Sequence, residues 1–221
     1  MHAKLPKRPA AAVLIITSLL ALLAMGHHPT IESHSVELAL REIGDERWIN
    51  SAVHGFMLVV VVLYCWGFSV FNACLDRYRM SVGLAQVALV FATITMSAAA
   101  IISGFIVPEV AAKLLNSAER HDEFQSILTL LFSANQVLAM LGTVGYSVAI
   151  ACWGVALIRA KRTLQQVVGT VGLLGSAGFL VYVLMGYMHL HVAGMTIFAA
   201  GLGVWASAAA ALLWFESTDS D

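Results

Sequence analysis

Five stretches of this chain contain no Asp, Glu, Lys or Arg, and each is 17 residues or longer: Ala10–Gly26, Ser51–Leu75, Ser81–Pro108, Phe124–Ile158 and Thr163–Phe215. Water cannot solvate such runs. A bilayer can, and it demands helices, because only a helix or a closed barrel satisfies its own backbone in lipid. A crossing takes about 20 residues, so the last and longest stretch holds two helices with a turn near its midpoint, His189. The chain therefore reads as an all-α polytopic membrane helix bundle. Six transmembrane helices are expected, over about 10–26, 51–75, 82–107, 127–158, 164–187 and 191–215, with loops 27–50 and 108–124 on one face. The fourth stretch exceeds one span, so its first turns are expected to stand above the lipid.

Nothing divides the 221 residues into more than one domain, since no Pro, Ser or Gly linker, charged tail or low-complexity tract interrupts them. The first helix has a second reading. Lys4, Lys7 and Arg8 precede an apolar core, and Ala24-Met25-Gly26 carries the small residues of a signal-peptidase site. Cleavage there leaves five helices and makes His27 an N-terminal residue able to chelate copper through its amine and imidazole.

Basic residues set the orientation. With the N-terminus in the cytoplasm, Lys4, Lys7, Arg8, Arg77, Arg79, Arg159, Lys161 and Arg162 lie inside, and only Arg41, Arg47, Lys113 and Arg120 lie outside. That satisfies the positive-inside rule for a multi-pass protein of a bacterial-type inner membrane with both termini cytoplasmic. The net charge of −1 offers no basis for binding nucleic acid. Within the outer loops, Val36, Leu40 and Ile43 recur at helical spacing among charges, which predicts a surface helix. Pro108 is expected to open another, with Glu109 and Lys113 paired at i,i+4.

Small residues predict how the spans pack. Gly169, Gly172, Gly175 and Gly178 mark the fifth span, and Gly201, Gly203, Ala206 and Ala210 mark the sixth, as close helix contacts. Gln86, Asn135 and Gln136 suit interhelical hydrogen bonds. Cys65, Cys74 and Cys152 lack metal-ligand spacing and read as packing residues.

Chemistry concentrates on one side. His27, His28, His34, His54, His121, His189 and His191 all fall on the outer face of this topology, and each is a candidate metal ligand. Neutral imidazole binds iron, copper or zinc without adding charge to a low-dielectric site. His54 sits about 5 Å inside the second span at 1.5 Å per residue, a depth that His189 and His191 match. Histidines two apart on a helix point in nearly opposite directions, so one of that last pair faces any given site. His121 adjoins Asp122 and Glu123, whereas His27, His28 and His34 read as hydrated loop residues. Met25, Met57, Met185, Met188 and Met195 share the outer layer, and thioether with imidazole is a copper-like ligand set, although methionine also serves as packing.

His54-Gly55-Phe56-Met57 near the outer end of a helix resembles the haem-ligand segment of an early helix in the catalytic subunit of haem-copper oxidases. His189-Leu190-His191-Val192-Ala193-Gly194-Met195, leading into an apolar helix, is similar to a histidine-rich helix start in that superfamily. The resemblance implies His54 and one of His189 or His191 as ligands of a b-type haem. It does not imply oxygen reduction, because the chain is less than half the usual length and lacks an adjacent histidine pair on a helix.

Three function classes follow from these residues. The foremost is a membrane redox protein with haem or copper at the outer face, in electron transfer or oxidation of a quinol or lipophilic substrate. Another is a non-redox metalloenzyme holding zinc or iron through His121, His189, His191 and carboxylates such as Glu32 or Asp122, and acting on a lipid. The last is an accessory, assembly or metal-handling subunit that docks other membrane subunits. No Asp, Glu, Lys or Arg lies deep in a span, which argues against a proton-coupled transporter.

Overall fold

The computed structural model describes residues 5–28, 36–75, 79–115, 121–185 and 192–218. Every element among them is helical: α1 (Lys7–Gly26), α2 (Val36–Asp45), α3 (Arg47–Cys74), α4 (Met80–Ile101), a π-helical turn (Ile102–Ile106), α5 (Val107–Leu115), α6 (His121–Ile158), α7 (Thr163–Leu184) and α8 (Val192–Thr218). Six helical runs are long and apolar enough to cross a membrane, with α4, the π-turn and α5 counting as one run over Met80–Leu114. The six-helix membrane bundle expected from the charge-free stretches is what forms.

Pro108 departs from expectation. Rather than opening a new helix after a loop, it lies in continuous helix, because Ile102 and Val107 on either side of the π-turn both keep right-handed helical dihedrals. A proline inside an α-helix has no N–H to give and its ring collides with the carbonyl four residues earlier, here Gly104. The wider π-turn relieves that collision. It also leaves the Gly104 carbonyl needing a donor, and Ser51 of α3 supplies one at 2.7 Å. Most of the stretch expected as loop 108–124 is consequently helix, with α5 ending at Leu115 and α6 starting at His121.

The helix expected among Val36, Leu40 and Ile43 forms as α2 and packs against α5. Ile43 joins a small cluster with Val107, Ala111 and Leu114 of α5 and Leu128 of α6. Glu109 pairs with Lys113 at 3.5 Å, as its spacing predicts, and also with Arg47 of α3 at 3.2 Å. These pairs are exposed, so each contributes little stability.

Around the bundle, α8 packs on α1, α1 on α3, α3 on α4, α4 on α6 and α6 on α7. α1 and α3 run antiparallel, since His28 meets His54, Ser18 meets Tyr64 and Leu14 meets Gly67 along the pair. Close approach depends on small side chains. A Cβ on Gly154 of α6 would lie 2.7 Å from the Gly169 carbonyl oxygen of α7, and one on Gly169 would lie 2.8 Å from that of Gly154. Ala206 and Ala210 are fully buried, as expected for the small face of α8. The glycine stripe of α7 divides, however: Gly169 and Gly172 abut neighbours, whereas Gly175 and Gly178, with Gly201 of α8, have open space where a Cβ would go.

At the centre, Trp153 of α6 and Trp205 of α8 stack with centroids 5.5 Å apart, flanked by Phe68 and Phe71 of α3. The Trp153 indole N–H donates to Asn72 Oδ1 at 2.7 Å. Gln86 of α4 donates to Ser69 of α3 at 3.1 Å, the interhelical bond expected of it. Cys65, Cys74 and Cys152 are partly buried against this core. The outer surface is apolar instead, with Leu19, Val62, Ile94, Leu174 and Val204 all exposed, as lipid contact allows.

Gly169→Ala should destabilise the bundle by about 1–3 kcal/mol, because backbone cannot yield as a side-chain tip can. Gly175→Ala should be neutral within about 0.5 kcal/mol. Denaturant titration of the two variants in detergent checks the contrast.

Candidate metal-binding site

Polar order at the His54 end of the bundle begins with the π-turn. Asn50 Nδ2 donates to the Ser103 carbonyl at 2.9 Å, beside the Ser51 bond to Gly104. Two donors from the first turn of α3 thus serve two carbonyls that face away from their own helix, each bond contributing about 1 kcal/mol. They draw α3 so close to the π-turn that a Cβ on Gly104 would lie 2.2 Å from the Cβ of His54. Only glycine fits there. His54, one turn further along α3, is thereby pressed on bare backbone and left 4% exposed.

Its ring is fixed from the other side as well. His54 Nδ1 lies 2.9 Å from the Asn50 carbonyl oxygen, which can only accept, so Nδ1 carries the proton. In the neutral ring Nε2 then has a free lone pair. That lone pair meets His28, which extends from the end of α1: the two Nε2 atoms are 3.3 Å apart. The ring planes are inclined by 71°, and their centroids are only 4.9 Å apart, so the rings converge at an angle and not end to end.

Two chemistries suit this spacing. One is a hydrogen bond from a His28 Nε2–H to His54. The other is a shared metal ion, since a tetrahedral ion bonded to both nitrogens at about 2.0–2.1 Å holds them roughly 3.3–3.4 Å apart. The Nδ1–H bond to Asn50 is the outer-shell contact that ligating histidines ordinarily make, setting tautomer and orientation.

The other candidate histidines divide. His27 is exposed and its Nδ1 turns back to the Leu23 carbonyl at 2.9 Å, away from the pair. His121 is the first residue of α6, at this same end of the bundle, and nothing of its side chain is described. His34, His189 and His191 lie outside the described residues. Among the described residues no group of three His, Cys, Asp or Glu converges, so further ligands for the pair would have to be of another kind.

Methionine is that kind. Met25 lies in the last turn of α1, three residues before His28, which follows that helix, and Met57 lies three after His54 on α3, so both sit on the bundle side of the histidines. This mirrored spacing, Met-x-x-His against His-x-x-Met, was a signal available in the sequence. His28 itself reads there as a loop residue of little weight, and the structure puts it in contact with the most buried histidine described. Asn50, Ser51 and Gly104 carry no sequence signal beyond being polar or small in apolar runs.

Comparison with protein-family models, with curated proteins and with solved structures finds no match to this chain.

Gly104→Ala should cost about 1–3 kcal/mol and displace His54, since both the Cβ and Cγ of that ring stand where the methyl would go. Gly83→Ala, with open space at its Cβ, is the control. Thermal unfolding of both in the same detergent tests the difference.

Proposed function

We propose that this chain is a membrane redox protein whose centre is one transition-metal ion of the copper class held between His28 and His54. It acts at the outer face of a bacterial-type inner membrane, in electron transfer or in oxidation of a quinol or similar lipophilic substrate. The convergence of the two Nε2 atoms at 3.3 Å carries the proposal. The excess of basic residues in the opposite set of loops supports the orientation.

Geometry favours a bridging ion over haem. Two axial histidines face each other end to end across iron, about 4 Å apart, with the macrocycle between them. The inclined rings of His28 and His54 leave no such slot, and His54 is held against Gly104 and Asn50. Copper is favoured over zinc by the thioethers beneath, because soft sulfur selects Cu(I). A site of two imidazoles with soft sulfur close by accommodates both copper oxidation states, which is what electron transfer requires. Its position at the end of the span, one turn into the apolar layer, lets a lipid-borne donor approach while an aqueous partner reaches the same ion.

Protein purified from copper-replete cells should, when oxidised, hold one paramagnetic copper(II) per chain and give an electron paramagnetic resonance spectrum with nitrogen hyperfine structure. His28→Ala and His54→Ala should each weaken binding by more than about 100-fold, beyond what loss of an outer-shell partner costs. An undiminished copper(II) spectrum in the double variant, or stoichiometric zinc in place of copper, would overturn the reading.

A further inference from the structure

Below the histidine pair, four methionines from four different helices border one cavity of about 50 Å³: Met25 of α1, Met57 of α3, Met96 of α4 and Met195 of α8. Tyr64 and Tyr146 line its deeper part. The chain has nine methionines in all, so nearly half converge here. Methionine in a core ordinarily serves as filler, bending to close a gap. These four surround a gap that stays open.

The volume narrows the occupant. Cofactor-sized sites run to about 300–1,000 Å³, so neither a haem nor a quinone ring fits. The wall is almost wholly apolar, which disfavours a hydrated divalent ion. A dehydrated ion of single charge and soft character is what thioethers take up. One of the methionines depends on a glycine for its space. Met96 lies over Gly142 of α6, where a Cβ would come within 2.4 Å of its Cγ and 2.7 Å of its sulfur.

We infer that this chamber is a thioether site for a monovalent soft metal ion, Cu(I), separate from the His28–His54 pair and one turn deeper. It rests on the copper reading of that pair only for the route of entry. The pair holds an ion among nitrogen ligands at the end of the bundle, and the chamber holds the reduced form among thioethers and apolar side chains. Two sites of unlike hardness stacked along one axis would let the chain sort the ion by oxidation state.

The test uses the full chain in detergent, labelled with 13C at the methionine methyls, and Ag(I) as a redox-inert stand-in for Cu(I). Ag(I) should shift the methyl signals of Met25, Met57, Met96 and Met195 and leave that of Met140, which lines no part of the chamber, in place. Met96→Leu with Met195→Leu, a near volume-conserving change that spares the two methionines nearest the histidines, should weaken Ag(I) binding roughly tenfold or more. The copper(II) resonance spectrum, recorded on the same samples, reads the histidine pair independently and should be unchanged by the double substitution. Loss of that spectrum with the methyl shifts retained removes the pair and supports the chamber. Unmoved methyls, or shifts spread equally over all methionines, overturn the chamber whatever the copper(II) spectrum shows.

Discussion

A proline in the middle of a membrane helix sets the terms for this end of the molecule. Pro108 cannot bond to the carbonyl of Gly104, and lipid offers no water to do it instead. The chain answers with a π-turn and with two polar residues of a neighbouring helix, Asn50 and Ser51, whose donors reach the exposed carbonyls. Their bonds bring α3 against the turn, Gly104 makes the approach possible, and His54 is locked between them with its Nε2 facing His28. The site is a by-product of backbone satisfaction.

Elsewhere packing follows a simpler rule. Lipid tails are as apolar as leucine, so helices associate where small residues let backbones touch, as at Gly154 and Gly169, or where flat rings stack, as at Trp153 and Trp205. Close contact is not confined to that pair, since Gly104 admits His54 and Gly142 admits Met96 at least as tightly. Between Met25, Met57, Met96 and Met195 the helices nevertheless leave a small space.

Charge-free runs made the six spans legible, because length and hydropathy alone decide what crosses a bilayer. The amphipathic spacing around Ile43 and the Glu109–Lys113 pair were legible for the same reason, being local. Pro108 misled. From sequence it is equally at home in the first turn of a helix or at a π-turn, and the difference lies in whether Ser51 stands opposite Gly104. His28 was obscured because it follows the end of α1: which residue there meets His54 depends on how α1 and α3 slide past each other and on how the chain leaves α1, and hydrophobic periodicity encodes neither. The glycine stripe of α7 shows the limit of composition, since Gly169 and Gly175 look alike until a neighbour is placed beside one and not the other.

The run from Met80 to Leu114 has 35 residues, an axial length of about 50 Å at 1.5 Å per residue, against a hydrocarbon thickness of about 30 Å. The run therefore exceeds one crossing by roughly 20 Å, and α5 at its end is braced by α2 and by α6. The π-turn joins α4 to α5 beside His54. A change of angle between those two parts would reach the ring through two hydrogen bonds, Ser51 to Gly104 and Asn50 to Ser103. The 3.3 Å between the two nitrogens is thereby coupled to the bend of a helix that neither histidine belongs to.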